Sequence, residues 1–257
     1  MRDTSTRRER IVSMLKDNGS VQVPTLSEIF GVSTVTIRKD LKFLDKQGIA
    51  ARSYGGAILS EITMPMPEHH IKYKQQNITE KISIGHTAAT LINSGESIIL
   101  DSGTTTLHIA ANLKEKKDIT VVTNSLHAMN ELSLYPGFNL LMLGGTLCAK
   151  NMSFYGAPAE YFLNNLHVDK LFLGINGFNI QRGITAHCET EAMLNRTMCK
   201  AANEIIVLAD SSKLNKVCLH QVLETSKISK LITDNKIMPD IHRDIESYGI
   251  EVLIATP

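Results

Sequence analysis

Residues 21–56 constrain this chain most, because they place a short apolar-faced helix, a glycine turn and a second, sharply two-faced helix in succession. Leu26, Ile29 and Phe30 share one face of the first helix. Gly31-Val32-Ser33 supplies the turn, with Ser33 or Thr34 placed to cap the second helix. In that second helix, residues 34–44, Ile37, Leu41 and Leu44 recur at three- and four-residue spacing and are expected to face inward. Thr34, Val35, Thr36, Arg38, Lys39 and Lys42 cover the outer face and the first turn. Any one of these features alone fits an ordinary helical hairpin. Their combination points to a helix-turn-helix that enters a DNA major groove. Val21, at the entry to the unit, joins that contact set, and Arg7, Arg8 and Arg52 flank it as expected backbone grips.

The charge distribution supports a phosphate-binding head. Residues 1–57 hold ten Lys or Arg against six Asp or Glu, out of chain totals of 27 and 26, so the remainder carries seventeen against twenty. A chain of 257 residues has room for this module and a larger body. Cys148, Cys188, Cys199 and Cys218 show no C-x-x-C pairing, and no signal peptide or membrane-length apolar run is present, so reduced thiols in a cytoplasm are expected. His187, Cys188, Glu189 and Glu191 lie close together, as do His69 and His70, but neither group has a recognised ligand spacing, and no metal or cofactor is expected.

The head should open with a helix over residues 5–17, with Ile11, Met14 and Leu15 inward and Arg7, Arg8 and Arg10 outward. After the recognition helix, Gly48 suits a C-cap, and residues 49–57 read as a small wing with Arg52 and Tyr54 near Gly55-Gly56. Residues 1–58 thus form the DNA-binding domain. Residues 59–78, with Met64-Pro65-Met66-Pro67, form the linker, and residues 79–257 the body. In the body, apolar strands at 97–101, 119–123, 139–143, 170–175, 204–210, 230–234 and 250–254 alternate with helices. That pattern predicts an α/β fold with a largely parallel sheet covered on both faces.

In open parallel sheets, ligands bind beyond the C-terminal strand ends. Here those ends carry Asp101-Ser102-Gly103-Thr104-Thr105, Asn124, Gly144-Gly145, Asn176-Gly177 and Asp210-Ser211-Ser212-Lys213. Each alone suits any strand-to-helix loop. Their convergence predicts a small, phosphorylated, hydroxyl-rich ligand held by amides and hydroxyls at a helix N-terminus. Asp101, Glu191 and Lys213 fit either as sugar-binding groups or as a structural network closing the loops, and the sequence leaves both open.

The head motif from Arg7-Arg8 through Gly31-Val32-Ser33-Thr34-Val35-Thr36-Ile37-Arg38-Lys39-Asp40-Leu41 to Gly55-Gly56-Ala57 resembles that of bacterial DeoR-type transcriptional regulators. The body motifs Ile99-Leu100-Asp101-Ser102-Gly103-Thr104-Thr105, Thr123-Asn124-Ser125-Leu126, Gly144-Gly145-Thr146 and Ala209-Asp210-Ser211-Ser212-Lys213 extend the likeness over almost the whole chain. The resemblance implies a winged helix-turn-helix joined to a sensor domain related to ribose-phosphate isomerases. It also implies a protein that binds double-stranded operator DNA and represses a carbohydrate operon until a phosphorylated sugar or sugar alcohol binds; because one small module grips too few bases, a homo-oligomer, dimer or tetramer, on paired half-sites is expected. Ser153-Phe154-Tyr155-Gly156 most resembles regulators of galactitol, glucitol or N-acetylgalactosamine catabolism. Gly174-Ile175-Asn176-Gly177 departs from a Gly-x-Asp-Gly pattern of many relatives, which removes a negative charge from the expected site. The competing class is a sugar-phosphate isomerase or deaminase-like enzyme with an accessory DNA-binding head. It lacks a convincing acid–base pair at fixed spacing.

Overall fold

The computed structural model of the protein describes residues 4–18, 20–46, 50–53, 55–59 and 76–256. The chain divides into two units, residues 1–66 and 67–257. In the first, α1 (Thr4–Asn18), β1 (Ser20–Gln22), α2 (Val23–Phe30) and α3 (Thr34–Lys46) precede the hairpin β2 (Ala50–Ser53) and β3 (Gly56–Leu59). Strand β3 pairs antiparallel with both β1 and β2, so the expected wing is part of a three-stranded sheet, and its last residue enters the expected linker. Gly48, Tyr54, Met64 to Pro67 and the His69-His70 pair fall outside the described residues.

Helix α2 ends where Gly31 adopts φ +61, a left-handed conformation that costs glycine little and turns the chain into α3. Ser33 Oγ accepts a hydrogen bond from Thr36 N at 3.2 Å, which makes Ser33 the cap. Ile37, Leu41 and Leu44 pack with Ile11, Leu15, Leu26 and Phe30 in one apolar core. Ile29 is exposed, contrary to expectation, because α2 buries the stripe Val23, Leu26 and Phe30, and Ile29 lies a quarter turn away.

The head core contains a charged cluster among its described residues. Asp40, buried on α3, accepts from Arg7 Nε at 2.7 Å and from Arg8 Nε at 2.8 Å, and the Arg8 guanidinium lies 3.9 Å from the centre of the Phe43 ring. Arg7 is buried rather than outward. The cluster ties α1 to α3 by charge-assisted bonds in a place where an unpaired charge would be costly.

In the second unit, seven strands form one parallel sheet in the order β15-β14-β12-β9-β4-β5-β6. They are β4 (Ser97–Leu100), β5 (Ile119–Thr123), β6 (Phe138–Met142), β9 (Val168–Gly174), β12 (Ala202–Leu208), β14 (Lys230–Asp234) and β15 (Glu251–Ala255). Successive side chains alternate between two apolar layers. Ile98, Leu100, Phe172 and Ile206 enter one, and Ile99, Leu171, Leu173 and Val207 the other. Helices α4 (Ile78–Thr90), α5 (Thr104–Ala111) and α6 (Leu126–Leu132) supply the first layer, through Ile84, Ile109 and Leu132. Helices α7 (Ala157–Leu163), α8 (Glu189–Ala201) and α9 (Pro239–Ser247) supply the second, through Leu163, Met198 and Ile245. The chain grows outward from β4 through β5 to β6, then returns to β9 on the opposite side of β4. The strand order therefore reverses between β4 and β9.

Two small additions were not legible in the alternating pattern. The hairpin β7 (Thr146–Cys148) and β8 (Ser153–Tyr155) follows β6, and β10 (Gly177–Asn179), β11 (Gly183–Ala186) and β13 (His220–Leu223) form a separate antiparallel sheet. Their three- and four-residue strands are too short to show a period.

Replacing Asp40 with Ala leaves two guanidinium groups without their buried partner and should cost the head about 3 kcal/mol or more. Thermal melting of the full chain followed by circular dichroism should show an early helical transition that the parent lacks. An unchanged melt would mean the cluster does not hold α1 to α3.

Candidate functional site

Two surfaces carry the chemistry. On α3, Thr34, Val35, Arg38, Lys39 and Lys42 are all exposed, and their spacing draws one stripe along the helix opposite the buried Ile37, Asp40, Leu41 and Leu44. Ser33 is exposed at the start of this stripe, and Thr36 is half-buried with its hydroxyl 3.0 Å from that of Ser33. This is a groove-sized, polar and basic helix face. Three expected contacts lie elsewhere. Val21 is buried in the head core, where β1 packs it. Arg7 is committed to Asp40, and the half-buried Arg8 shares that partner and stacks on Phe43. The side chain of Arg52 is outside the described residues, although its backbone lies on β2.

The second surface is a cavity of about 590 Å³ at the C-terminal strand ends, over the place where the strand order reverses. Ser102, Gly103, Thr104 and Thr105 line it from the loop between β4 and α5, and Asp101 from the base of that loop. Helix α5 starts there without a side-chain cap, so its first amides are available to an anion. Asn176, Glu191 and Lys213 line the cavity from the end of β9, from α8 and from the 3-10 turn Ser211–Lys213 that follows β12.

Asp101 is the fastener of this floor. Its Oδ1 accepts from Gly103 N at 2.7 Å and lies 2.8 Å from Thr106 Oγ1, while Oδ2 accepts from Gly174 N at 3.0 Å. Burial pushes its carboxyl up to about 6, against the pull of those three donors. Of the two roles left open by the sequence, closing the loops is the one its bonds support. Burial likewise pushes Glu191 up to about 7, with the Asp101 charge adding and Lys150 opposing.

Three expected ligand groups do not line the cavity. Asn124 is buried behind it, donating from Nδ2 to Ser102 Oγ at 3.3 Å and to the Phe154 carbonyl at 3.2 Å, so it clips the β7–β8 hairpin to the floor. Gly144 and Gly145 turn the chain out of β6. A Cβ on Gly145 would lie 2.4 Å from the Tyr155 carbonyl oxygen, so its smallness serves the hairpin rather than a ligand. Asn176 does line the cavity, and its Oδ1 also accepts from His187 N at 3.1 Å, which holds the segment leading to α8.

The cavity also contains side chains that the sequence patterns did not single out. Lys81 on α4 is buried, and burial holds its amine below the usual lysine range, with Asp210 opposing and Lys213 adding. Its signal was present in the pattern: Lys81, Gly85, Ala88 and Ala89 share a small-residue face of α4. A Cβ at Gly85 would lie 2.4 Å from His108 Cβ, so the glycine permits the close approach of α4 to α5 that sets Lys81 into the cavity. His127, Lys150, Asn151 and Tyr155 also line it. Tyr155 OH accepts from Asn151 Nδ2 at 2.7 Å and lies 3.3 Å from Ser102 Oγ. These residues lie on short or irregular segments that carry no period. Among the described residues, no three His, Cys, Asp or Glu side chains form a group that could hold a metal ion, and no helix is long and apolar enough to cross a membrane. All four cysteines are free.

An exposed basic helix face on one unit and a cavity lined by lysines, hydroxyls and amides on the other are the features of a DNA-binding regulator with a sensor domain. Residues 7–63 match the DeoR-like helix-turn-helix domain, and residues 76–235 match the DeoR C terminal sensor domain. The chain is 45% identical to an aga operon transcriptional repressor of Escherichia coli O157:H7, over 98% of this chain and 94% of that protein. It is 34% identical to the transcriptional repressor GlcR of Bacillus subtilis (strain 168), over 95% and 93%. It is 30% identical to the lactose phosphotransferase system repressor of Lactococcus lactis subsp. lactis, over 94% and 95%. Ribose 5 phosphate isomerase A from Neisseria gonorrhoeae overlaps 52% of each chain at 14% identity and a TM-score of 0.39. The chain belongs to the DeoR family. It is a transcriptional repressor, not an enzyme.

The raised carboxyls have a consequence for stability. The folded protein keeps a proton on Glu191 up to about pH 7 and on Asp101 up to about 6, whereas the unfolded chain releases them near 4.5 and 3.8. The stabilisation is complete below the unfolded values and is lost as pH rises through the folded ones. The urea midpoint of the body should therefore fall between pH 5 and 8, and Glu191→Gln should flatten that fall. An identical slope in the variant would remove Glu191 as its source.

Proposed function

We propose that this repressor reads operator DNA with the exposed stripe of α3 and releases it when a phosphorylated sugar or sugar alcohol enters the body cavity. The observation that carries the reading is the meeting of Lys81, Lys213 and the uncapped start of α5 in one cavity at the sheet's switch point. Two ammonium groups and free amides recognise a phosphate. The hydroxyls of Ser102, Thr104 and Tyr155, the amide of Asn151 and the carboxyl of Glu191 suit a polyhydroxyl body attached to it. The names of the aga operon and lactose phosphotransferase system repressors support a carbohydrate operon as the target.

On DNA, Thr34, Arg38 and Lys39 meet base edges or phosphates in the major groove, and Lys42 and Arg52 grip the backbone. A single α3 spans too few bases for a specific site, so the protein acts as a dimer or tetramer on paired half-sites. It works in the cytoplasm, where operator and metabolite meet. The effector acts by binding more tightly to the arrangement of heads and bodies that does not fit the operator.

Arg38→Ala should weaken binding to the chain's own promoter region by about tenfold or more, with body melting unchanged. Raising salt from about 50 to 200 mM should lower affinity by orders of magnitude if about six or more phosphates are contacted. Electrophoretic mobility shifts test both, and unaltered affinity in both experiments removes α3 as the reader. In reporter cells, Lys213→Ala or Thr104→Val should leave repression that the inducing sugar no longer relieves. Normal induction in both variants would mean the effector binds elsewhere.

A further inference from the structure

The last residue before α4 is tied to the turn that forms part of the cavity wall. Asn77 takes a left-handed conformation, φ 54 and ψ 39, which asparagine tolerates better than most residues. Its Nδ2 donates to Asp210 Oδ1 at 2.8 Å and to Ser212 Oγ at 3.3 Å, and its carbonyl accepts from Lys81 N at 3.0 Å in the first turn of α4. Asp210 is buried, and the same Oδ1 accepts from Ser212 N at 3.1 Å. One carboxylate oxygen therefore holds both the 3-10 turn that carries Lys213 and the residue that caps the start of α4.

The same turn is fastened from the other side, where Asp234 Oδ2 accepts from Ser211 N at 2.7 Å. Behind it lies a second cavity of about 360 Å³, lined by Asn77, Glu80, Ser212, Asp234 and Lys236, with the Lys236–Glu80 ion pair at its rim. The turn thus stands between two open spaces. Asp210 and Lys213 lie on the wall of the effector cavity, and Ser212 lies on the wall of the second one.

We propose that the Asn77–Asp210 contact is a latch that couples an anion in the effector cavity to the start of α4, which follows the DNA-binding head in the chain. The proposal rests on the reading of that cavity as a phosphate site. Lys81, Lys213 and Asp210 share one electrostatic neighbourhood. A phosphate placed between the lysines draws on the positive charge that Asp210 otherwise faces, and its own negative charge repels the carboxylate. The 3-10 turn relieves that repulsion by moving toward the second cavity, and Asn77 loses its acceptor. Linkage makes the effect reciprocal: an intact latch lowers anion affinity, and a bound anion weakens the latch.

The test uses the full chain with inorganic phosphate as the probe. Thermal shift reports binding, and hydrogen exchange reports the first turn of α4. In the parent, phosphate should raise the melting temperature while speeding exchange at the Lys81 amide by about tenfold or more, the scale of one lost hydrogen bond to a charged group. Asn77→Gly keeps the left-handed backbone and removes the amide. Its first turn should exchange fast with or without phosphate, while the thermal shift persists. Asn77→Asp, which sets a second carboxylate against Asp210, should behave alike. The latch is overturned if phosphate binds the parent without altering exchange in α4, or alters it equally in both variants. No thermal shift in the parent, or the same shift in Lys213→Ala, would instead overturn the phosphate reading and the latch with it.

Discussion

Asp101 holds together the part of the body on which everything else is mounted. At the point where the strand order reverses, two neighbouring strands diverge and their loops part, which opens a crevice and leaves backbone amides unpaired. A buried carboxylate at the end of β4 gathers amides from both sides, Gly103 from its own loop and Gly174 from the end of β9. Burial favours a neutral acid, and the three donors counter that tendency only in part, leaving the carboxyl raised to about 6. The result is a rigid floor on which Ser102, Thr104 and the start of α5 keep fixed positions. Around it the chain arranges Lys81 and Lys213, which places cationic groups against a pre-formed cradle of amides and hydroxyls.

The head repeats the device with arginines in place of backbone amides as the donors. Asp40 on the inner face of α3 gathers two arginines from α1, so the reading helix is fixed from behind by the same kind of charge-assisted bond. This has a functional cost in surface charge, because Arg7 is withdrawn from the basic face. It has a structural gain, because the stripe of Thr34, Val35, Arg38, Lys39 and Lys42 is presented on a helix that packing and ion pairs both hold.

Much of this was legible beforehand, for identifiable reasons. The strands at residues 119–123 and 230–234 were expected at the bounds they have, since each is an apolar run that ends abruptly in polar residues. For α3 the three-to-four spacing of Ile37, Leu41 and Leu44 marks the inward residues that the structure buries, whereas in α2 the same reasoning misplaces Ile29. The short hairpin β7–β8 escaped, and with it Lys150, Asn151 and Tyr155, since a three-residue strand has no period to read. Asn124 and Gly145 stand at strand ends, where their contacts go to the neighbouring hairpin, and a polar or small residue at such an end serves a loop as readily as a ligand.

By itself the sequence determined the strands of the large sheet and most of the helices between them, and that polar groups crowd the strand ends, all consequences of local periodicity and turn chemistry. Only the tertiary structure decided which of those ends meet, since strand order is set by packing across the whole sheet. It alone also separated surface charges from buried ones. Arg7 is withdrawn by Asp40, 33 residues away in the chain. Lys81 reaches the cavity because Gly85 lets two helices close on each other. Periodicity tells which residues point together, but what they point at depends on partners remote in sequence.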